Sequence, residues 1–222
     1  MGRVSAIVLA AGFSRRMGID KLSLPWGDGT VLDAALRPFL ALPEIDEVIV
    51  VVRLGPAPGL APSRATVLVN ESADEGMGSS LRAGVRGANP EAEAYILALG
   101  DMPLLGSDLV AHLLATWRSS GKGILVPVYR ASRDFLPASP WGTGGRCACP
   151  SASIDGRRGH PVVIAGRYRD ALLASSGDVG ARRLLADNEW DIEPCEVTDP
   201  AVVTDIDTCE GYQKLAANRG TR

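Results

Sequence analysis

Six short segments of this 222-residue chain carry residue types and spacings that could do chemistry. The first is Leu9-Ala10-Ala11-Gly12-Phe13-Ser14-Arg15-Arg16-Met17-Gly18, followed by Lys21. Small residues let a backbone approach a ligand closely, and successive backbone N–H groups can cradle phosphates. Arg15, Arg16 and Lys21 add positive charge just after the turn, so the segment suits a triphosphate. It has neither the G-x-x-x-x-G-K-[ST] spacing of a Walker A loop nor the G-x-G-x-x-G spacing of a dinucleotide fingerprint. A tight turn with solvated arginines is the plain alternative.

The second segment is Leu99-Gly100-Asp101-Met102-Pro103. An aspartate directly after a buried strand stands at the mouth of a sheet, where Mg2+ would take one or two carboxylates plus phosphate oxygens. The same residues would also make an ordinary turn. The third joins Asn70-Glu71 to Glu75-Gly76-Met77-Gly78-Ser79-Ser80-Leu81-Arg82, glycines before serines at a helix start. Such an end binds anions or offers N–H groups to a base or ribose, or is simply capped by Ser79 or Ser80.

Gly156-Arg157-Arg158-Gly159-His160-Pro161 pairs arginines with glycine, which suits a phosphate-rich substrate. His160 has no evident triad partner in the sequence. Gly177-Asp178-Val179-Gly180-Ala181-Arg182 reads as a loop and a capped helix. Thr204-Asp205-Ile206-Asp207-Thr208 puts Asp205 and Asp207 on one face if extended, so that one of them could be a second metal ligand. Alternatively Asp207 or Thr208 caps the helix that follows.

These segments need a scaffold, and the hydrophobic pattern supplies one. Val4–Ala10, Glu47–Val52, Ala65–Val69, Ala94–Leu99 and Ile124–Val128 are short apolar runs suited to buried strands. A further strand fits Val162–Ile164. Helical spacing marks 31–42, 79–85, 107–117 (with Ser107 as N-cap), 178–186 and 209–217, and the Pro/Gly-rich stretch 55–62 reads as a loop. Strands alternating with helices predict an α/β chain with a mostly parallel central sheet, covered on both faces. In such sheets ligands bind beyond the C-terminal strand ends, where the polar segments fall.

The chain is long enough for one sizeable core, and it reads as a single domain over 1–222 with an irregular insertion at about 131–153. A net charge of −3 gives no global reason to hold nucleic acid. No run approaches the roughly 18 apolar residues of a membrane span. The start does not read as a signal peptide. Cys147, Cys149, Cys195 and Cys209 form no paired CxxC knuckles, as expected of reduced thiols in a cytoplasmic protein.

In this order the six segments resemble the MobA-like nucleotidyltransferase family, in particular its molybdenum cofactor cytidylyltransferase branch. The match spans the chain except 131–153, which departs from the family as an insertion beside the second-substrate segment. The resemblance implies a Rossmann-like, three-layer nucleotidyltransferase fold and transfer of CMP from CTP to the phosphate of the molybdenum cofactor, with Mg2+ as cofactor. It implies that Ala10, Ala11 and Gly12 contact the nucleotide, and that Arg16 and Lys21 meet its phosphates. Asn70, with Ser79 and Ser80, would lie near base and ribose. Asp101 and Asp207 would hold the metal, Arg158 and His160 the acceptor.

Guanylyl-transferring relatives carry Gly-Gly where this chain has Ala11-Gly12, and the extra methyl favours the smaller base. Catalytic weight would rest on Arg16, Lys21 and Asp101. Two other readings fit the motifs: transfer to another phosphate acceptor or from GTP, and a non-catalytic accessory protein that hands cofactor to a molybdenum hydroxylase client.

Overall fold

The computed structural model describes residues 2–14, 17–53, 65–131 and 156–218. Arg15 and Arg16, the expected loop at 55–62 and all but the first residue of the expected insertion therefore lie outside the described residues.

The strands are β1 (Val4–Ala10), β2 (Pro25–Trp26), β3 (Gly29–Thr30), β4 (Glu47–Val52), β5 (Ala65–Val69), β6 (Ala94–Leu99), β7 (Ile124–Tyr129), β8 (Arg157–Arg158), β9 (Val162–Ala165) and β10 (Ile192–Val197). The helices are α1 (Val31–Ala41), α2 (Met77–Gly87), α3 (Ser107–Ser120), α4 (Arg169–Leu173), α5 (Arg182–Asp187) and α6 (Cys209–Asn218). The main sheet runs β10-β7-β9-β6-β1-β4-β5, with β8 added beside β7. Neighbours are parallel except β9, which is antiparallel to both β6 and β7, and β8, which is antiparallel to β7. The expected α/β class with a mostly parallel sheet is what the chain adopts.

Side-chain alternation along β1 divides the interior. Val4, Ala6, Val8 and Ala10 join the core under α1 and α3, whereas Ile7 joins the core under α2 and α4. In β4, Val48, Val50 and Val52 follow the first set, Ile49 and Val51 the second. Both faces are thus covered, which is why these strands read as continuous apolar runs rather than as an alternating pattern. Gly84 on α2 permits a close approach of helix to sheet. A Cβ there would fall 2.4 Å from Ile7 Cγ2.

Local corrections to the sequence reading have simple causes. α2 begins at Met77 after Gly76, so Ser79 is already inside the helix; its hydroxyl donates back to Gly76 O at 2.8 Å. Gly106, not Ser107, occupies the cap position of α3. The helix expected over 178–186 is split into a 3-10 turn at Gly177–Val179 and α5, because Gly180 takes a left-handed φ of 54°. At the start of α6, Thr208 Oγ1 accepts from Gly211 N at 3.0 Å, which makes Thr208 the cap of the two expected.

Candidate active site

The C-terminal ends of β1 and β6 lie side by side, with Gly100 N donating to Leu9 O at 2.9 Å. Beyond β1 the chain passes Ala11 and Gly12 and turns at Ser14, a non-glycine residue with φ 47°, whose carbonyl accepts from Met17 N and Gly18 N. Met17 and Leu22 are buried and tie the returning chain to the core. Between them Asp20 accepts from Leu22 N, and Lys21 N donates to Ser14 Oγ at 3.3 Å. Lys21 is thereby aimed back across the mouth of the sheet.

It meets the carboxylate that follows β6. Lys21 Nζ lies 2.5 Å from Asp101 Oδ2 and 3.2 Å from Asp207 Oδ1. The segment 205–207 is delivered by the backbone bond from Ile206 N to Asp101 O, 3.0 Å, while the Ile206 side chain is fully buried. Oxygens of Asp101, Asp205 and Asp207 all lie within 4.8 Å of one another. The other oxygen of Asp101, Oδ1, is buried and has no hydrogen-bond partner among the described residues. Burial alone would weaken the Lys21 ammonium, but Asp101 and Asp207 outweigh it and hold its pKa above the ordinary lysine value. Burial, then the neighbouring Asp207 and Asp101, push Asp205 above the usual carboxylate range. Three carboxylates against one ammonium leave net negative charge crowded here.

A cavity of about 650 Å³ opens over this cluster. Of the residues expected to bind nucleotide, Ala10, Ala11, Gly12, Lys21 and Ser80 line it. Asn70 and Ser79 stand behind Ser80. The buried Asn70 amide donates to Ser79 Oγ at 2.8 Å and Ser80 Oγ at 2.9 Å, so it fixes the first turn of α2 instead of facing the cavity. Asp101, Asp205 and Asp207 are in the lining as well.

Arg158 and His160 are the residues expected to hold the acceptor. Arg158 and His160 are not part of the lining. Arg158 pairs with Glu189 at 3.5 Å, and β8 lies along the same side of β7 as β9, since β10 pairs the other side over its whole length. His160 is held by its own N–H to Val202 O and turns Nδ1 toward Leu97 O, 3.4 Å away. Burial keeps its pKa below the ordinary histidine value, against the pull of Asp101 and Asp205. It is a neutral ring at the edge of the site.

The lining also includes Phe13, Asp178 and Arg182, to which the sequence alone assigns no role. Phe13 lies beneath the Arg53 guanidinium, 4.9 Å from the ring centroid. The signal for the other two was present in Gly177-Asp178-Val179-Gly180-Ala181-Arg182, but no local pattern tells which cavity a loop residue faces.

A mostly parallel sheet with a small-residue loop, a lysine and a carboxylate at its C-terminal edge defines a nucleotidyltransferase architecture. The sequence matches the profile of the MobA-like NTP transferase domain over residues 6–193, and the chain belongs to that family. Among its relatives is the nicotine blue oxidoreductase of Paenarthrobacter nicotinovorans, 29% identical over 96% of each chain. Another is the molybdenum cofactor cytidylyltransferase of Escherichia coli (strain K12), 24% identical over 96% of this chain and 95% of that one. In fold it is similar to Rv0371c of Mycobacterium tuberculosis H37Rv, with a TM-score of 0.72, 24% identity, and coverage of 97% of this chain and 98% of the other. No helix among the described residues is long and apolar enough to cross a membrane.

Proposed function

We propose that this protein transfers CMP from CTP to the terminal phosphate of the molybdenum cofactor, releasing pyrophosphate, with Mg2+ as its metal. The observation that carries the reading is the cluster of Lys21, Asp101, Asp205 and Asp207 at the open end of the sheet, facing a cavity lined by Ala10, Ala11 and Gly12.

The residues present fit a hard divalent cation. The donors are all carboxylate oxygens, their charge exceeds that of Lys21, and the buried Oδ1 of Asp101 lacks a partner. Asp101 and Asp207 would hold the ion, and its chemistry is to neutralise phosphate oxygens. The chain does the rest. Ala10, Ala11 and Gly12 let the nucleotide lie close to backbone, with open space above Gly12. Ser80, steadied by Asn70 and Ser79, offers a hydroxyl to the sugar or base. Lys21, with Arg16, stabilises the departing pyrophosphate. The attacking phosphate is already an anion, so no general base is needed, and catalysis is positioning plus charge neutralisation.

The cytidylyltransferase relative aligns along nearly the whole chain, as does the nicotine blue oxidoreductase. What favours nucleotidyl transfer over the activity in the Paenarthrobacter relative's name is the carboxylate cluster with its paired lysine, which suits a metal and a triphosphate. CTP over GTP rests on the Ala11 methyl, 7% exposed in the cavity wall. On this reading the chain acts in the cytoplasm as one domain and serves a molybdenum hydroxylase client. The test is pyrophosphate release from CTP, GTP and ATP with Mg2+, with and without molybdenum cofactor. Cofactor-dependent release from CTP alone is expected. Release from GTP overturns the base assignment, and no release from any nucleotide by folded protein supplied with active cofactor overturns the enzyme.

A further inference from the structure

The Gly177–Arg182 segment has no part in the chemistry described so far, yet it is fitted closely against the nucleotide wall. It crosses the first turn of α2 as a strap. A Cβ on Gly76 (φ 98°) would fall 2.4 Å from Asp178 Oδ1 and 2.8 Å from the Gly177 carbonyl carbon; one on Gly78 would fall 2.8 Å from the backbone of Ser176. Arg82, one turn further along α2, donates to Ser175 O at 2.5 Å and pairs with Glu75 at 2.9 Å. Left-handed glycines at 177 and 180 (φ 62° and 54°) bend the strap at both ends. The turn of α2 that carries Ser80 into the cavity thus also seats the strap, which brings Asp178 and Arg182 to the lining.

Arg182 differs from the other charged residues around it. Among the described residues the lining holds two cations, Lys21 and Arg182. Lys21 is engaged by Asp101 and Asp207. Arg182 is exposed, forms no hydrogen bond or ion pair within the described residues, and lies close enough to His160 for its charge to act on that ring. Asp74, Asp101, Asp178, Asp205 and Asp207 also face the cavity. A second anionic substrate entering such a field is repelled unless a cation receives it.

We propose that Arg182 binds the terminal phosphate of the acceptor, a phosphate monoester, and holds it for attack on the nucleotide. This rests on the nucleotidyltransferase reading. In-line displacement requires the nucleophile to enter opposite the leaving group. Pyrophosphate departs on the Lys21 side, and Arg182 stands on the wall built by α2 and the strap. A guanidinium grips a phosphate through two parallel N–H donors while leaving the third oxygen to react. That oxygen forms a bond to the α-phosphorus, the bond to the α,β-bridging oxygen breaks, and its electron pair leaves with pyrophosphate. No proton need move.

The experiment is a fluorescence titration of the full chain with the oxidised, fluorescent pterin of the cofactor, with and without its terminal phosphate, beside a titration with CTP and Mg2+. Wild type should bind the phosphorylated pterin at least tenfold more tightly than the dephosphorylated one. Arg182→Gln should lose that difference and keep wild-type CTP affinity. Arg182→Lys should recover part of it. Arg183→Gln, which removes the adjacent, solvent-facing arginine, should leave it unchanged. If Arg182→Gln still discriminates, if wild type never does, or if CTP affinity falls equally, the assignment is wrong. Binding without pyrophosphate release from CTP would instead count against the cytidylyltransferase reading and leave the phosphate site standing.

Discussion

The backbone N–H of Ile206 donates to the carbonyl of Asp101 over 3.0 Å. This bond joins a loop near the C-terminus to the end of β6, and places Asp205 and Asp207 beside a carboxylate from the middle of the chain. With Ile206 buried between them, the two aspartates are held outward by packing as well as by backbone pairing.

Asp101→Asn should reduce turnover by about 10²–10³-fold, the size of effect expected for losing one preorganised charge contact. The fold should survive, because Lys21 keeps Asp207 as a partner. Pyrophosphate release with Mg2+, alongside a thermal melt, checks both halves. Wild-type turnover in this variant would remove Asp101 from the metal site.

Ala11→Gly should shift base preference toward GTP by about tenfold, in line with the roughly 1–3 kcal/mol that one methyl contributes to discrimination in a tight pocket. The quantity to measure is the ratio of kcat/KM for CTP and GTP. An unchanged ratio means that the base is selected elsewhere in the cavity.

Gly78→Ala should cost about 1–3 kcal/mol of stability, since the added methyl meets Ser176 and Gly177 backbone and not the flexible end of a side chain. Displacing the strap should also raise KM for the acceptor more than KM for the nucleotide. Denaturant unfolding and two-substrate kinetics report these effects separately. An equal rise in both would mean that the strap serves the whole cavity and not the acceptor side.

Asp191 gives a pH dependence far from the cavity. Its buried carboxylate accepts from Tyr168 Oη (2.6 Å), Gly123 N (3.0 Å) and Arg167 Nη2 (2.6 Å). Burial works against its charged form, but these donors outweigh it and hold the pKa below the usual carboxylate value. A depressed folded-state pKa stabilises the protein above the unfolded value, about 3.9, and the stabilisation is lost as pH falls through the folded value. Asp191→Asn should therefore cost about 1–3 kcal/mol at pH 7, with little of it from the half-exposed Arg167. The gap to wild type should close below pH 4. Unfolding curves at pH 7, 4 and 3 suffice, and a gap independent of pH would mean that shape, not charge, is at stake.

The parts of the fold that could be read from the sequence are those where composition and burial agree. β4 is β-branched and enclosed on both faces, so Val48–Val52 announces itself. β10 does not, because Ile192–Val197 is an edge strand that carries Pro194 and two glutamates and gains its place only by pairing with β7. The two-residue strands β2, β3 and β8 are too short for any periodicity. At the site, Lys21, Asp101 and Asp207 could be named because each sits in a dense local motif. Arg182 could not be given a role, since its placement depends on how the strap meets Gly76 and Gly78 about a hundred residues earlier. Arg158 sits in an equally dense motif, and the structure pairs it with Glu189 outside the cavity lining.

β7 ends at the same edge of the sheet as β1 and β6, and β8 returns antiparallel beside it. A Cβ on Gly156 would lie 3.4 Å from Arg130 Cγ, so the chain leaves and re-enters the sheet at nearly one point. Closing a loop between ends already in contact costs only about 0.6 kcal/mol for each doubling of its length. Codons can therefore be gained or lost between Arg130 and Gly156 without shifting a ladder on either side. A lineage can change the length of this one segment while the pairing of β6, β7 and β9 is inherited unchanged.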